Sequence, residues 1–267
     1  MSDALVIPWN ATVTRRRDMS PAVRVLWITP DSGAIQPFEP GQFVQLGWTK
    51  PEDPAGPPPT RVRWNKRSYS IASSPRESGA YEVCLALVVN GVLTPALFDL
   101  HEGERMWCND APKGHFTLQG IPESRHLVCV ATGTGIAPFV SMLRRYRGTG
   151  RWRKLTIVCG ARESADLAYD AELQQAALID PTVRYAAVAS REPSASSWLG
   201  GRGRVQSVLE DAAFRSIAGE LLLPHDAHVL LCGNPAMIED VRVLLEPRGF
   251  VLDTAKTPGN LHFERYW

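Results

Sequence analysis

The second half of the chain alternates short apolar runs with longer amphipathic runs, and this alternation restricts the possible folds more than any other feature. From about residue 124, four apolar runs have the length and composition of buried strands, and each is followed by a run with helical spacing. The predicted strands are His126–Ala131, Leu155–Cys159, Val183–Ala189 and His228–Cys232, and the predicted helices are Pro138–Tyr146, Leu173–Leu178, Val205–Ala213 and Pro235–Leu245. Such alternation predicts an α/β domain with a parallel sheet and helices on its faces.

The first half, residues 11–118, has the pattern of an antiparallel β-barrel. The predicted strands are Val23–Ile28, Gln42–Leu46 and Tyr81–Val89, followed by a turn at Asn90-Gly91 and one short helix near Pro95–Leu100. The composition changes near residue 121, so we expect two domains, residues 1–121 and residues 122–267. The segment Thr49–Asn65 is rich in proline, which cannot donate strand hydrogen bonds, and is expected to be a surface loop.

Composition and charge exclude several classes of function. The 267 residues carry a formal net charge of +1, so no overall field draws the chain to nucleic acid or to a membrane. The five cysteines lie far apart, which argues against a zinc site, an iron–sulfur centre or a disulfide framework. Residues 1–10 lack a basic region followed by an apolar stretch, so we expect no signal peptide, and no apolar run reaches the roughly 20 residues that span a bilayer. We therefore expect a cytoplasmic protein that binds no metal.

Two glycine turns follow predicted strands of the second half. Thr132-Gly133-Thr134-Gly135 lies between a strand and a helix, where glycines let backbone amides approach a pyrophosphate. It is not a G-x-G-x-x-G motif, and a tight turn without a ligand fits it equally well. Cys232-Gly233-Asn234-Pro235 repeats the arrangement, and ligands of open parallel sheets bind at such strand ends. Cys232 could present its sulfur to a planar ring there, although a free cysteine is more often a small buried apolar residue.

Arginines follow the same edge of the predicted sheet. Arg162 follows Gly160-Ala161, Arg191 follows Ser190, and Arg202 and Arg204 come shortly afterwards. Because guanidinium groups pair well with phosphate, this set favours the 2′-phosphate of NADP over NAD. Any one of these arginines alone is more typical of a solvated surface side chain.

In the first half, the quartet Arg67-Ser68-Tyr69-Ser70 combines groups that suit a flavin. An arginine can bind a pyrophosphate, a tyrosine can stack on an isoalloxazine ring, and a serine hydroxyl can hydrogen-bond the N5 region. Four residues are a short pattern, and a strand with one stacked aromatic residue would look the same.

Taken together, four segments resemble the ferredoxin/flavodoxin–NADP reductases, specifically the compact bacterial type. They are Arg67–Pro75, Ala131–Pro138, Cys232–Met237 and Glu264–Trp267, in family order over nearly the whole chain. The terminal Tyr266-Trp267 pair points to the bacterial subgroup. The resemblance implies an N-terminal FAD-binding β-barrel and a C-terminal NADP-binding domain. It also implies hydride transfer between NADPH and flavin N5, and single-electron exchange with a ferredoxin or flavodoxin.

The resemblance also implies residue roles. The residues implied to bind FAD are Arg67, Ser68, Tyr69, Ser70, Cys84, Leu85, Ala86, Leu87, Val88, Val92, Leu93, Thr94, Thr134, Tyr266 and Trp267. The residues implied to bind NADP are Gly133, Gly135, Ala161, Arg162, Ser190, Arg191, Arg202, Arg204, Gly233, Asn234, Pro235 and Ala236. The residues implied to act in catalysis are Ser70, Cys232, Glu264 and Tyr266. Arg202 and Arg204 compete for one role, for which Gly203-Arg204-Val205 is the better match.

The partner implied by the resemblance is an acidic electron carrier, and we expect the chain to be a monomer. Arg15–Arg17 and the basic residues of the run 144–154 could form the docking surface, although a solvated helix face is an equally good interpretation. Two alternatives remain. The chain could be an NAD(P)H-dependent reductase component of an oxygenase system or a flavin reductase, or it could be a redox sensor without enzymatic activity.

Overall fold

A closed antiparallel barrel forms the first half of the computed structural model, which describes residues 9–49, 64–77 and 79–266. Its strands are β1 (Ala11–Ser20), β2 (Val23–Pro30), β3 (Phe43–Trp48), β4 (Asn65–Ser70), β5 (Tyr81–Ala86) and β6 (Arg105–Lys113), in the order β4-β3-β6-β1-β2-β5. An antiparallel bridge between Ile71 and Val83 joins the two edge strands and closes the barrel. Most of the predicted proline-rich loop lies outside the described residues.

The predicted strand Tyr81–Val89 is wrong at its C-terminal end, because β5 stops at Ala86. Ala86 pairs with Val23, the first residue of β2, so the chain beyond it soon lacks a ladder partner. A tight turn follows, in which the Gly91 N–H donates to the Val88 carbonyl (2.7 Å). The turn leads into helix α1 (Leu93–Asp99), as the sequence indicates, and not into a hairpin.

A six-stranded parallel sheet forms the second half and confirms the predicted α/β class. Its strands are β7 (Arg125–Thr132), β8 (Trp152–Ala161), β9 (Val183–Ala189), β10 (Gly201–Arg202), β11 (Ala227–Gly233) and β12 (Leu261–Arg265), in the order β10-β9-β8-β7-β11-β12. Its helices are α2 (Ala137–Tyr146), α3 (Asp170–Ile179), α4 (Val205–Val208), α5 (Asp211–Ala218) and α6 (Pro235–Leu245). The chain progresses outward from β7 in one direction and then returns to place β11 on its other side, so a topological switch point lies between β7 and β11.

The single helix predicted over Val205–Ala213 is wrong, because two short helices occupy this region. Glu210 is extended (φ −66°, ψ 143°) and caps α5, which interrupts the helical path. Arg248 donates to the Leu209 carbonyl (2.9 Å), and so a distant cation satisfies a carbonyl at the break.

The barrel and the parallel sheet share one apolar cluster. Val25 and Cys84 of the barrel belong to the same buried cluster as Cys129 of β7 and Phe139 of α2. Phe116, in the connection between the two halves, lies against Phe139 with ring centroids 5.9 Å apart. The boundary near residue 121 stays a prediction. No helix within the described ranges is long and apolar enough to cross a bilayer.

Candidate active site

The two glycine turns are in direct contact at the switch point. Gly133 follows β7 with a φ of +56°, and Gly233 ends β11 with a φ of +132°. A Cβ at Gly135 would overlap the Cys232 carbonyl oxygen, and a Cβ at Gly233 would overlap Thr132 Oγ1. Glycine is therefore required at these positions for the turns to approach each other.

Thr132 joins the two turns, a role that sequence reasoning missed. Its hydroxyl accepts a hydrogen bond from the Asn234 N–H (3.0 Å), and the Asn234 side chain accepts one from the Ala236 N–H (2.8 Å). The Asn234 side chain thereby caps α6, whose first residue is Pro235. The signal available in the sequence was the threonine immediately before Gly133. A Cβ at Gly133 would meet nothing within 4 Å, so this turn presents backbone to an open space that a pyrophosphate could enter.

Four side chains predicted to be catalytic form one cluster, drawn from three separate elements. Tyr266 OH donates to Ser70 Oγ (2.7 Å), and Ser70 Oγ donates to Glu264 Oε2 (3.2 Å). The Cys232 thiol lies 3.9 Å from the same carboxylate oxygen. Cys232 and Glu264 are paired residues on the neighbouring strands β11 and β12, whereas Ser70 ends β4 of the barrel. The cluster therefore lies where the barrel meets the carboxyl end of the parallel sheet.

Burial controls the proton affinities of this cluster. It raises the pKa of Glu264 to about 7, an effect that the hydrogen bond from Ser70 opposes. It also raises the pKa of the Cys232 thiol well above its ordinary value, so this cysteine stays protonated and uncharged at neutral pH. A carboxyl group that is partly protonated near pH 7 can both accept and donate a proton.

Tyr266 spans the gap between the parallel sheet and the barrel. Its N–H donates to the Gly233 carbonyl (3.1 Å) at one end, and its hydroxyl reaches Ser70 at the other. A planar group that enters from the glycine turns toward Ser70 would therefore meet the Tyr266 ring first. Trp267, the other predicted aromatic, lies outside the described residues.

The residues predicted to bind FAD fit that group in part through side chains and in part through backbone. Arg67 and Ser68 are exposed on β4, and burial raises the pKa of the half-buried Tyr69 phenol. The Cys84 side chain is buried in the cluster shared with the parallel sheet and the Leu85 side chain in the barrel core, so only their backbone could contact a ligand. The residues that border the turn before α1 are more accessible, since Val88 and Val92 are exposed.

Thr94 already has a partner in this region. Its hydroxyl accepts from the Val88 N–H (2.9 Å) and ties the first turn of α1 to the end of β5. Exposed apolar side chains on this turn could contact the ring of a flavin nucleotide, and the exposed guanidinium on β4 could donate to its pyrophosphate.

Two hydrogen bonds bring the predicted 2′-phosphate residues together at the ends of β8 and β9. The Ser190 N–H donates to the Ala161 carbonyl (3.0 Å), and the Arg191 N–H donates to the Arg162 carbonyl (2.7 Å). Both arginines are exposed. The sequence correctly places these loops next to each other because they follow adjacent parallel strands.

The guanidinium groups of Arg202 and Arg204 differ in how strongly they are bound to other parts of the protein. Arg202 donates to the carbonyls of Glu192 (2.9 Å) and Pro193 (3.1 Å), so its guanidinium holds the loop after β9 in place. Arg204 is 76% exposed and has a long ion pair with Asp240 (3.8 Å). Arg204 is therefore the better candidate for a phosphate, as the match of Gly203-Arg204-Val205 also indicates, and the role of Arg202 stays a prediction.

The basic run 144–154 is not the free positive patch that its sequence suggests. Arg153 pairs with Glu220 (2.9 Å) and with Asp226, and Lys154 lies 3.2 Å from Glu220. Arg151 donates to main-chain carbonyls of the preceding connection. The acids that neutralise the run come from segments about 70 residues away along the chain, so local sequence could not reveal them.

Relatives of this chain include NADP reductases. A model of the oxidoreductase NAD-binding domain matches residues 129–243. The flavodoxin/ferredoxin–NADP reductase of Escherichia coli strain K12 is 32% identical over 235 residues, which cover 87% of this chain and 89% of that protein. Ferredoxin–NADP reductase B of Sorangium cellulosum is 34% identical over 260 residues, which cover 97% of this chain and 98% of that protein.

Solved structures share the whole arrangement of barrel and sheet. A ferredoxin NADP+ reductase from Neisseria gonorrhoeae, solved with bound FAD and NADP, has a TM-score of 0.81 at 23% identity and covers 96% of this chain and 97% of its own. A cytochrome P450 reductase from Amycolatopsis has a TM-score of 0.74 at 25% identity and covers 99% of this chain and 73% of its own. The first likeness confirms the two-part fold.

Proposed function

The chain belongs to the flavodoxin/ferredoxin–NADP reductase family, and we propose that β4, α1 and the C-terminal segment hold its FAD while the two glycine turns hold NADPH. Its activity is electron exchange between NADPH and a ferredoxin or flavodoxin by way of FAD. The observation that supports this site is the hydrogen-bond chain Tyr266–Ser70–Glu264, which joins the C-terminal segment to the end of β4 beside the glycine turns. The division into a flavin domain, residues 1–121, and a nucleotide domain, residues 122–267, is part of the proposal.

The chain's own residues would prepare the site for the cofactor. FAD, when bound, would supply hydride acceptance at N5 and one-electron release. The Ser70 hydroxyl would hydrogen-bond near N5. The Glu264 carboxyl group, whose Oε2 accepts from Ser70, would hold or take up a proton at this position. The uncharged Cys232 thiol would border the nicotinamide without adding a charge.

Tyr266 would act as the gate of the nicotinamide site. Its ring would exclude water from the flavin until the nicotinamide displaces it, and that displacement costs free energy. Binding of the 2′-phosphate by Arg162, Arg191 and Arg204 would offset this cost, which ties nucleotide preference to these arginines.

The carrier would dock through cations that form no ion pair with any of the described residues. Arg15 and Arg17 are exposed on β1, and Arg147 is exposed after α2. We propose that these side chains steer an acidic carrier, so the rate of carrier reduction should fall as salt rises. We also propose that the protein is cytoplasmic and that it is a monomer. Size-exclusion chromatography with light scattering tests the oligomeric state.

Anaerobic titration of the FAD-loaded protein with NADPH and then NADH tests the proposal. NADPH should bleach the flavin absorbance efficiently, and NADH should bleach it poorly. Failure to bind FAD would contradict the whole site, whereas equal bleaching by both nucleotides would contradict only the role of the arginines.

A second candidate is a reductase component that serves an oxygenase. The similarity to the Amycolatopsis cytochrome P450 reductase favours it, because 99% of this chain aligns with that reductase, whereas the aligned part is only 73% of the longer chain. Rates of electron transfer to a ferredoxin, a flavodoxin and free FMN separate the candidates. A flavin reductase would reduce free FMN faster than either protein carrier.

A further inference from the structure

Helix α2 is attached to the barrel by two polar side chains that lie one turn apart. The Ser141 hydroxyl is fully buried and donates to the Ser73 carbonyl (2.6 Å). Arg144 Nη1 donates to the Ala72 carbonyl (3.1 Å). Both carbonyls belong to the segment immediately after Ser70. The helix that begins at the first glycine turn is thus hydrogen-bonded to the segment that follows β4.

Arg144 also holds one carboxylate from each half of the molecule. Its Nη1 donates to Glu82 of β5 (2.6 Å), and its Nε and Nη2 donate to Glu172 of α3 (2.7 and 2.8 Å). Glu82 is only 2% exposed. A buried carboxylate without a cation is strongly unfavourable, so Glu82 keeps the barrel against α2 only while Arg144 stays in place.

The Tyr169 ring packs against the Arg144 guanidinium. The Arg144 guanidinium carbon lies 5.5 Å from the centroid of the Tyr169 ring, which is 2% exposed. Tyr169 has a φ of +64°, in the left-handed region that side chains other than glycine rarely adopt. A non-glycine residue in such a conformation is typical of sites where the geometry serves a function.

We propose that Arg144 is a positioning residue for hydride transfer, which fixes the glycine turn before α2 relative to Ser70 at the end of β4. It would act through Ser70 and the glycine turn, because it contacts neither nucleotide site directly. This inference rests on the proposed function of the site. Other contacts across the interface, such as Ser20 with Asp166 (2.6 Å) and Tyr146 with Glu39 (3.2 Å), do not touch the segment after Ser70.

A matched pair of variants tests the proposal, because each removes the negative charge of one carboxylate partner of Arg144. Glu82→Gln weakens the bond between the two halves, and Glu172→Gln weakens the bond within the second half. We expect Glu82→Gln to slow flavin reduction by NADPH roughly tenfold to a hundredfold, the effect of a small misplacement of reacting groups. The KM for NADPH should stay within about twofold, and Glu172→Gln should leave the rate almost unchanged.

Hydrogen exchange supplies a readout that does not depend on turnover. The Ala72 N–H donates to the Glu82 carbonyl, and the Ile71 N–H donates to Gln42, so amides of this segment are protected in the native protein. We expect faster exchange of residues 71–73 in Glu82→Gln, in the cofactor-free as well as the FAD-loaded protein, and unchanged exchange in Glu172→Gln. Ser141→Ala removes only the other attachment and should give a smaller increase.

Arg144→Lys guards against a variant that fails to fold, since lysine can keep one ion pair to Glu82. It should restore part of the rate that Arg144→Met loses. Wild-type rate and exchange in Glu82→Gln would overturn the proposal, and so would equal losses in Glu82→Gln and Glu172→Gln. Failure of NADPH to reduce the wild-type flavin would instead contradict the proposed function, and the exchange measurements would still test the role of Arg144 in holding the segment.

Discussion

Glu264 carries an acidic proton at a pH where an ordinary glutamate is ionised. Burial raises its pKa from 4.5 to about 7, so the folded state binds this proton more tightly than the unfolded state does. The stability that comes from the neutral carboxyl is complete below pH 4.5 and is lost as the pH rises through 7. A glutamine at this position is neutral at every pH and therefore serves as the reference.

We expect Glu264→Gln to unfold at higher urea concentration than the wild type at pH 8, with the difference shrinking toward pH 5. The pKa rises from 4.5 to about 7, so the ionised carboxylate costs about 3 kcal/mol relative to the neutral form. Urea unfolding of both proteins at pH 5, 6.5 and 8 gives the measurement. A stability difference that stays constant with pH would show that Glu264 is not the group with the raised pKa.

The ring of Tyr266, rather than its hydroxyl, is expected to set nucleotide preference. Tyr266→Ala removes the ring that the nicotinamide must displace, so NADH, which lacks the 2′-phosphate, should benefit more than NADPH. The ratio of kcat/KM for NADPH to that for NADH should fall roughly tenfold, which corresponds to about 1.4 kcal/mol. Tyr266→Phe keeps the ring and should retain most of the preference. Equal losses in both variants would point to the hydrogen bond with Ser70 instead.

Arg204 and Arg202 are neighbours with different expected effects. Arg204→Ala should raise the KM for NADPH by roughly tenfold to a hundredfold and leave the KM for NADH unchanged, because a charged hydrogen bond contributes about 1.5–3 kcal/mol. Arg202→Ala should release the loop that it holds through Glu192 and Pro193 and affect both nucleotides alike. Steady-state kinetics with each nucleotide distinguish the two, and a selective NADPH defect in Arg202→Ala would reverse the assignment.

At the scale of elements, local patterns predicted the two strand–turn–helix units of the site. β11 and α6 begin and end close to their predicted limits because buried strands, an Asn-Pro cap and helical spacing are local signals. The end of β5 was not predictable in this way, since it depends on where β2 begins. The break between α4 and α5 depends on Arg248, which lies 39 residues from Leu209. For the same reason, local sequence does not indicate the acids that neutralise Arg153, because Glu220 and Asp226 are distant along the chain.

Because the two turns are in contact, replacing Gly135 by alanine should cost more stability than replacing Gly133. Gly135→Ala would force a Cβ against the Cys232 carbonyl and separate the turns, so we expect a loss of about 1–3 kcal/mol in unfolding free energy. Gly133→Ala would place its Cβ in open space and strain only the backbone, at a cost of about 1 kcal/mol. Urea unfolding of both variants measures the difference. A larger loss at Gly133 would mean that the turns are not held together by close packing.

At the scale of the whole molecule, the interface between the halves resembles a protein core more than a contact between separate domains. The shared apolar cluster is reinforced by buried hydrogen bonds from Ser141 and Arg144 to the segment after Ser70. We therefore expect the proposed nicotinamide site to open through the movement of one aromatic side chain, Tyr266, and not through separation of the barrel from the sheet.

Such an interface should make the two halves unfold together. Separation would expose the shared cluster and leave the buried Glu82 without Arg144, so neither half gains by unfolding alone. Differential scanning calorimetry of the cofactor-free protein should give one peak whose calorimetric and van't Hoff enthalpies agree. FAD at 100 times its Kd should stabilise that single unit by about 2.7 kcal/mol. Two resolved peaks, with FAD shifting only one of them, would instead mean that the barrel and the parallel sheet are independent and that Arg144 does not couple them.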